Sequence, residues 1–214
     1  MYTHSKTYIS SGLPLKEAER AVIMVHGRGA SPESILSLGS RLKAGNAAML
    51  APRAANQSWY PYSFLAPVSE NQPALDSALD LLDSLVSEAM ENGLPADRIF
   101  FLGFSQGACL TLEYTSRNAR RYGGVMAFTG GLIGEEVDRS RYQGDFSGTP
   151  VLITTGDPDP HVPVSRVEET CTILEDMHAR VHLKIYPGRP HTILAEELVL
   201  ANREILGDDY DGSI

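Results

Sequence analysis

Short, continuous apolar runs recur along the chain, separated by longer segments whose apolar residues return at every third or fourth position. The runs Val22-Ile23-Met24-Val25, Ala47-Ala48-Met49-Leu50-Ala51, Ile99-Phe100-Phe101-Leu102, Gly124-Val125-Met126-Ala127-Phe128 and Val151-Leu152-Ile153-Thr154-Thr155-Gly156 have no polar face. That is the character of strands buried on both sides of a parallel sheet. Val181-His182-Leu183-Lys184-Ile185-Tyr186 alternates at the period of a strand. Residues 73–92 form the clearest helical pattern. Leu75, Leu79, Leu82, Leu85, Val86 and Met90 share one face, Asp76, Asp80, Asp83 and Ser87 the other, and Gly93 stands where a helix would stop. Residues 108–114, 163–177 and 194–206 also read as helices, and 3–10 as an extended edge strand. Strands alternating with helices predict a doubly wound α/β sheet. One domain over residues 1–206 accounts for the pattern, followed by an acidic, frayed tail at 207–214.

The candidate chemistry begins where one strand meets the next helix. Gly103-Phe104-Ser105-Gln106-Gly107 matches G-x-S-x-G, directly after the run 99–102 and directly before a helical segment. Strand, sharp turn and helix together make a nucleophile elbow, in which the turn lifts a serine hydroxyl above the sheet. The glycines let strand and helix approach where a Cβ would clash. A serine nucleophile needs a base, and the base an orienting acid. On this elbow the partners follow in the order Ser, acid, His. Asp157-Pro158-Asp159-Pro160-His161-Val162-Pro163 follows the strand ending at Gly156, and Pro187-Gly188-Arg189-Pro190-His191-Thr192 follows the strand 181–186. Both loops lie past the C-terminal ends of strands, where open α/β sheets form their sites. Asp157 is placed to cap the turn. Asp159 is stiffened between two prolines, and the acid is assigned to it.

Of the six histidines, only His191 has the position and chain order of the base. His4 and His178 are expected in solvent, His182 within a strand, and His26 buried under a loop that it holds by a hydrogen bond. Acyl transfer also needs donors for a developing oxyanion. One is the backbone N–H of Gln106, the residue after the nucleophile; the other should come from the glycine-rich loop after residues 22–25. Ser31, with Pro32 after it, can cap the helix that follows.

Composition narrows the picture. With 214 residues, 43% of them apolar and 21% charged, the chain can bury one sizeable α/β core. A net charge of −9 without a basic stripe argues against nucleic acid as a partner. No apolar run is long enough for a membrane span. Met1-Tyr2-Thr3-His4-Ser5-Lys6 has no signal-peptide apolar stretch, so a cytoplasmic location is expected. Cys109 and Cys171 fall at apolar-facing helical spacings, as buried thiols would. No Cys/His set has zinc-ligand spacing, so no metal is expected.

His26-Gly27-Arg28-Gly29, Gly103-Phe104-Ser105-Gln106-Gly107-Ala108, Gly156-Asp157-Pro158-Asp159-Pro160-His161-Val162-Pro163 and Pro190-His191 together resemble the phospholipase/carboxylesterase family of α/β-hydrolases. The resemblance covers nearly the whole chain. It implies a single-domain α/β-hydrolase fold, with a mostly parallel central sheet flanked by helices and no large lid domain. It implies a cofactor-free serine carboxylesterase with Ser105, Asp159 and His191 as the triad, and backbone N–H groups of Arg28 and Gln106 as the oxyanion hole. The partner implied is a small-molecule ester, and a homodimer stays open as the assembly. The alternatives are an acyl-protein thioesterase or lysophospholipase and, in another class, a non-catalytic binding protein on the same fold. Thioesterase members carry apolar residues where this chain has Arg28 and His161, at positions that flank the acyl pocket, so the acyl preference departs from theirs. The aromatic segment 54–65 is expected to form a short flap over the substrate, with Trp59, Tyr60, Phe64 and His161 lining the pocket. Short-chain or aromatic esters suit such a pocket.

Overall fold

A computed structural model describes residues 2–207. Apart from Gly207, the expected acidic tail lies outside the described residues. Among the described residues, seven strands form one sheet in the order β1-β3-β2-β4-β5-β6-β7. They are β1 (Tyr8–Gly12), β2 (Arg20–Val25), β3 (Ala47–Pro52), β4 (Ile99–Phe104), β5 (Gly124–Phe128), β6 (Pro150–Asp157) and β7 (Arg180–Pro187). Only β1 runs antiparallel, against β3; the other pairings are parallel. The helices are α1 (Pro32–Leu36), α2 (Val68–Asn71), α3 (Ala74–Glu91), α4 (Gln106–Arg117), α5 (Val164–Asp176) and α6 (Ala195–Glu204). The expected α/β-hydrolase fold is the one observed: one domain around a mostly parallel sheet.

The unbroken apolar runs are explained by two cores, because successive strand residues point to opposite faces. Ala21, Ile23, Val25, Ile99, Phe101, Val125, Ala127, Val151 and Ile153 face one layer, with Leu75, Leu82, Leu110, Val167 and Leu174 from α3, α4 and α5. Val22, Met24, Phe100, Leu102, Met126, Phe128 and Leu152 face the other, against Ile35 of α1 and Leu198 and Ala201 of α6. The loops past the C-terminal ends of β4, β6 and β7 carry Ser105, Asp159 and His191.

Two boundaries differ from the sequence reading. The edge strand starts at Tyr8, not near residue 3, because the preceding segment leaves the sheet to dock elsewhere. Tyr2 Oη donates to the Ser58 carbonyl at 2.9 Å, and the His4 backbone N–H donates to Ser77 Oγ at 2.8 Å. His4 is therefore half-buried instead of solvated. In α3 the buried face is centred on Ala78, Leu82 and Ala89; Met90 sits at its margin and is 43% exposed. Among the described residues, no helix is long and apolar enough to cross a membrane.

Candidate active site

Ser105 joins β4 to α4 with φ 55° and ψ −119°, a strained conformation for a residue with a side chain. Close packing over-determines it. A Cβ on Gly103 would stand 2.5 Å from the Gly107 carbonyl oxygen, and one on Gly107 would stand 2.2 Å from that of Val25. Only glycine at both positions lets α4 start this close to β2 and β4. The Ser105 N–H donates to the Phe128 carbonyl at 3.0 Å, which ties the turn to the end of β5.

Asp159 follows β6. Its side chain is fully buried and accepts three hydrogen bonds. Oδ1 accepts from the backbone N–H groups of His161 at 2.9 Å and Val162 at 3.0 Å. Oδ2 accepts from His191 Nδ1 at 2.8 Å. Burial by itself would raise the carboxyl's pKa, but the bonds from His191, His161 and Val162 outweigh it and hold the pKa below the ordinary value. Because the ionised carboxylate can only accept, His191 carries its proton on Nδ1. Nε2 then presents a lone pair, and Ser105 Oγ lies 2.8 Å from it. Asp157 ends β6, and its carbonyl accepts from Gly188 at 2.8 Å. Its exposed side chain makes no hydrogen bond among the described residues, so the backbone makes the turn assigned to it.

The His191 loop rests on a buried polar group that the sequence reading did not single out. The Arg189 guanidinium donates to the Thr192 carbonyl, to Thr129 Oγ1 at 2.5 Å and, at 3.5 Å, to Glu197 of α6. Glu197 also accepts from Thr154 and, at 2.7 Å, from the Leu194 N–H. The loop is thus held on both sides of His191. The imidazole packs against Phe104 at 5.2 Å and edge-on against His161 at 4.9 Å.

A cavity of about 460 Å³ opens over Ser105 and His191, walled by Tyr60, Pro61, Tyr62, Ser63, Phe64, Val162 and His161. Arg28 and Gln106, whose backbone N–H groups the sequence assigns to an oxyanion, also line it. Neither backbone N–H donates to any acceptor among the described residues. Tyr60, Phe64 and His161, expected to line a substrate pocket, lie on the wall of this cavity. Trp59 does not. Its ring is fully buried, its indole N–H donates to the His26 carbonyl at 2.7 Å, and it packs between His4 and His26. An indole N–H buried away from water needs an acceptor, and the acceptor lies beneath the loop.

The side chains of the two proposed donor residues have a second role that spacing could not reveal. Gln106 Oε1 accepts from the Trp59 N–H at 2.9 Å, and its Nε2 donates to the Tyr60 carbonyl at 2.8 Å. The Arg28 guanidinium donates to the carbonyls of Tyr60, Pro61 and Tyr62 at 2.9, 2.8 and 2.6 Å. It is neither an unpaired charge in the pocket nor a free surface group. The fully buried Asn71 accepts from the Tyr62 N–H and donates to the Ser63 carbonyl, both at 2.9 Å. His26 is buried as expected. Its Nε2 accepts from the Ala54 N–H at 3.3 Å, and its Nδ1 donates to the Gly27 carbonyl at 2.8 Å.

The model of the phospholipase/carboxylesterase family matches residues 12–205. The solved structure of a phospholipase/carboxylesterase from Dyadobacter fermentans DSM 18053 superposes with a TM-score of 0.95 at 61% identity, covering 96% of this chain and 99% of that one. A probable carboxylesterase of Oryza sativa subsp. japonica is 30% identical over 145 residues, 66% of this chain and 54% of that protein. An acyl-protein thioesterase 1 of Kluyveromyces lactis is 30% identical over 128 residues, 58% of this chain and 56% of that protein. The chain spans a little over half the length of these two relatives. With its fold, its serine elbow and the extent of these matches, the chain belongs to the phospholipase/carboxylesterase family.

Proposed function

We propose that the chain is a serine hydrolase that cleaves short-chain or aromatic carboxylic esters through an acyl-enzyme. The observation that carries this reading is the hydrogen-bonded sequence from Asp159 through His191 to Ser105, set beside two unpartnered backbone N–H groups. Ser105 Oγ attacks the ester carbonyl carbon as its proton passes to His191 Nε2. Asp159, held ionised, fixes the imidazole tautomer and stabilises the imidazolium. The carbonyl oxygen becomes an oxyanion facing the N–H groups of Arg28 and Gln106. Collapse of the tetrahedral species expels the alkoxide, which takes the proton from His191. Water, deprotonated by the same nitrogen, then attacks the acyl-enzyme and releases the acid and free Ser105. Protein groups and water handle every proton and electron pair in this scheme.

The aromatic wall and the modest cavity support the short or flat acyl group. The name of the Kluyveromyces lactis relative supports the second reading, an acyl thioester as substrate. A series of p-nitrophenyl esters from acetate to palmitate tests the proposal. The expected kcat/KM is highest between acetate and hexanoate. A steady rise to palmitate would favour the thioesterase reading, and no hydrolysis at any length would favour a binding protein. Asp159, whose pKa its hydrogen bonds hold below the ordinary value, should stay ionised across the neutral range in which the esters are assayed.

A further inference from the structure

The aromatic wall of the cavity has a second side. A separate depression of about 580 Å³, lined by Tyr2, Glu70, Gln72 and Pro73, is bordered by the same Pro61 and Tyr62 that border the cavity over Ser105. Pro61 and Tyr62 therefore stand between the two spaces. The Pro61 and Tyr62 carbonyls accept from the Arg28 guanidinium and from no other described residue. The Gln106 clamp acts one turn earlier, at Trp59 and Tyr60. The buried Asn71 holds the Tyr62 N–H and the Ser63 carbonyl. Among the described residues, only the Arg28 side chain ties the Pro61 and Tyr62 carbonyls to the loop after β2. A guanidinium suits this place because its planar fork reaches several carbonyls in fixed directions, which an ammonium on a flexible stem does not.

We propose that the Arg28 side chain is a latch that sets the acyl-length limit, by holding the Pro61–Tyr62 partition closed between the catalytic cavity and the depression behind it. The proposal rests on the esterase reading above and gives it a specificity-determining residue. Arg28 acts here through geometry, not through its charge. With the latch broken, the partition can swing and the two spaces join into one longer groove. Long acyl chains then gain room, and short ones lose the wall that positions them.

The test compares full-length wild type with Arg28→Met and Arg28→Lys. Two measurements are made: hydrogen–deuterium exchange over residues 58–64, and kcat/KM along the p-nitrophenyl ester series. Both variants should exchange faster in that segment. Both should also move the optimum to longer acyl chains, with butyrate kcat/KM falling roughly tenfold, the scale of a lost charge-assisted hydrogen bond. Lysine keeps the charge but cannot bridge three carbonyls. If Arg28→Lys kept the wild-type profile while Arg28→Met lengthened it, polarity would set the limit and the latch would be overturned. Unchanged exchange in both variants would overturn it as well. Should wild type hydrolyse no ester at all, the proposed function falls, and the exchange data still decide whether Arg28 holds the partition.

Discussion

The elbow around Ser105 and the aromatic loop facing it are held in contrasting ways. The elbow is fixed by backbone against backbone: a Cβ on Gly103 would stand 2.5 Å from the Gly107 carbonyl oxygen where β4 meets α4, and one on Gly107 2.2 Å from that of Val25 where α4 meets β2. The aromatic loop has almost no regular structure of its own. It is suspended by long side chains that bond its backbone: His4, His26, Arg28, Asn71 and Gln106. The first arrangement suits a nucleophile, whose position cannot drift. The second suits a wall, whose shape can change by one substitution while the sheet stays intact. Gln106 belongs to both regions. It follows Ser105 at the start of α4 and lines the cavity, and its carboxamide carries the loop.

Substitutions at the reacting groups should have the largest effect. Ser105→Ala is expected to lower kcat by on the order of 10⁴ or more. Asp159→Asn should lose on the order of 10⁴ through the wrong tautomer, while Asp157→Asn should retain most activity. Steady-state kinetics on a short ester measure all three, and an Asp157 variant worse than the Asp159 variant would move the acid. Gly107→Ala strikes the elbow's packing. Its Cβ would meet backbone oxygens of both Val25 and His26, so a loss of at least about 1–3 kcal/mol is expected in urea unfolding. Gln106→Ala strikes the loop. It leaves the buried Trp59 N–H without an acceptor, at a cost of about 1–3 kcal/mol, and faster exchange over residues 58–60 should accompany it. If Gln106→Ala left that exchange unchanged, the loop would be self-supporting and the contrast would fail.

The smallest expected effect is on stability against pH. Burial holds His4 and His26 below the ordinary histidine value. Each therefore binds a proton less readily folded than unfolded. Their contribution is complete above the unfolded value, near ~6.5. It declines as pH falls from there through the depressed folded values. Thermal unfolding at pH 7.5 and pH 5.5 should show a lower Tm at the acid pH, and His4→Gln should reduce that difference. An equal Tm at both pH values would show that the two imidazoles do not hold the loop as neutral groups.

The same contrast explains what the sequence could tell. β2, β4, β5 and β6 were legible because burial on both faces leaves an unbroken apolar run. The three residues that meet over the elbow were legible because each follows a strand in a fixed order. Asp159 stood out from Asp157 by its flanking prolines, and the structure places Asp159, not Asp157, against His191. The aromatic loop was legible only as a cavity wall. Trp59 read as a pocket residue, because nothing in its neighbourhood shows that its indole N–H finds the His26 carbonyl, 33 positions earlier. The clamps of Arg28, Asn71 and Gln106, and the Arg189–Glu197 group under His191, follow no period. They join residues through side-chain-to-backbone bonds that only the folded chain brings together. The early start expected for the edge strand failed for the same reason, since Tyr2 and His4 are drawn off the sheet by partners more than 50 positions away.

Covalent labelling by a fluorophosphonate, read by peptide mass spectrometry, tests the central claim most directly. A serine whose hydroxyl is activated by His191 and whose oxyanion is met by two N–H groups should form one stable adduct, on the peptide containing Ser105. The adduct should be absent from Ser105→Ala and form far more slowly in His191→Gln. Wild-type protein that is folded but unlabelled at Ser105, or ester hydrolysis undiminished in Ser105→Ala, would contradict the account.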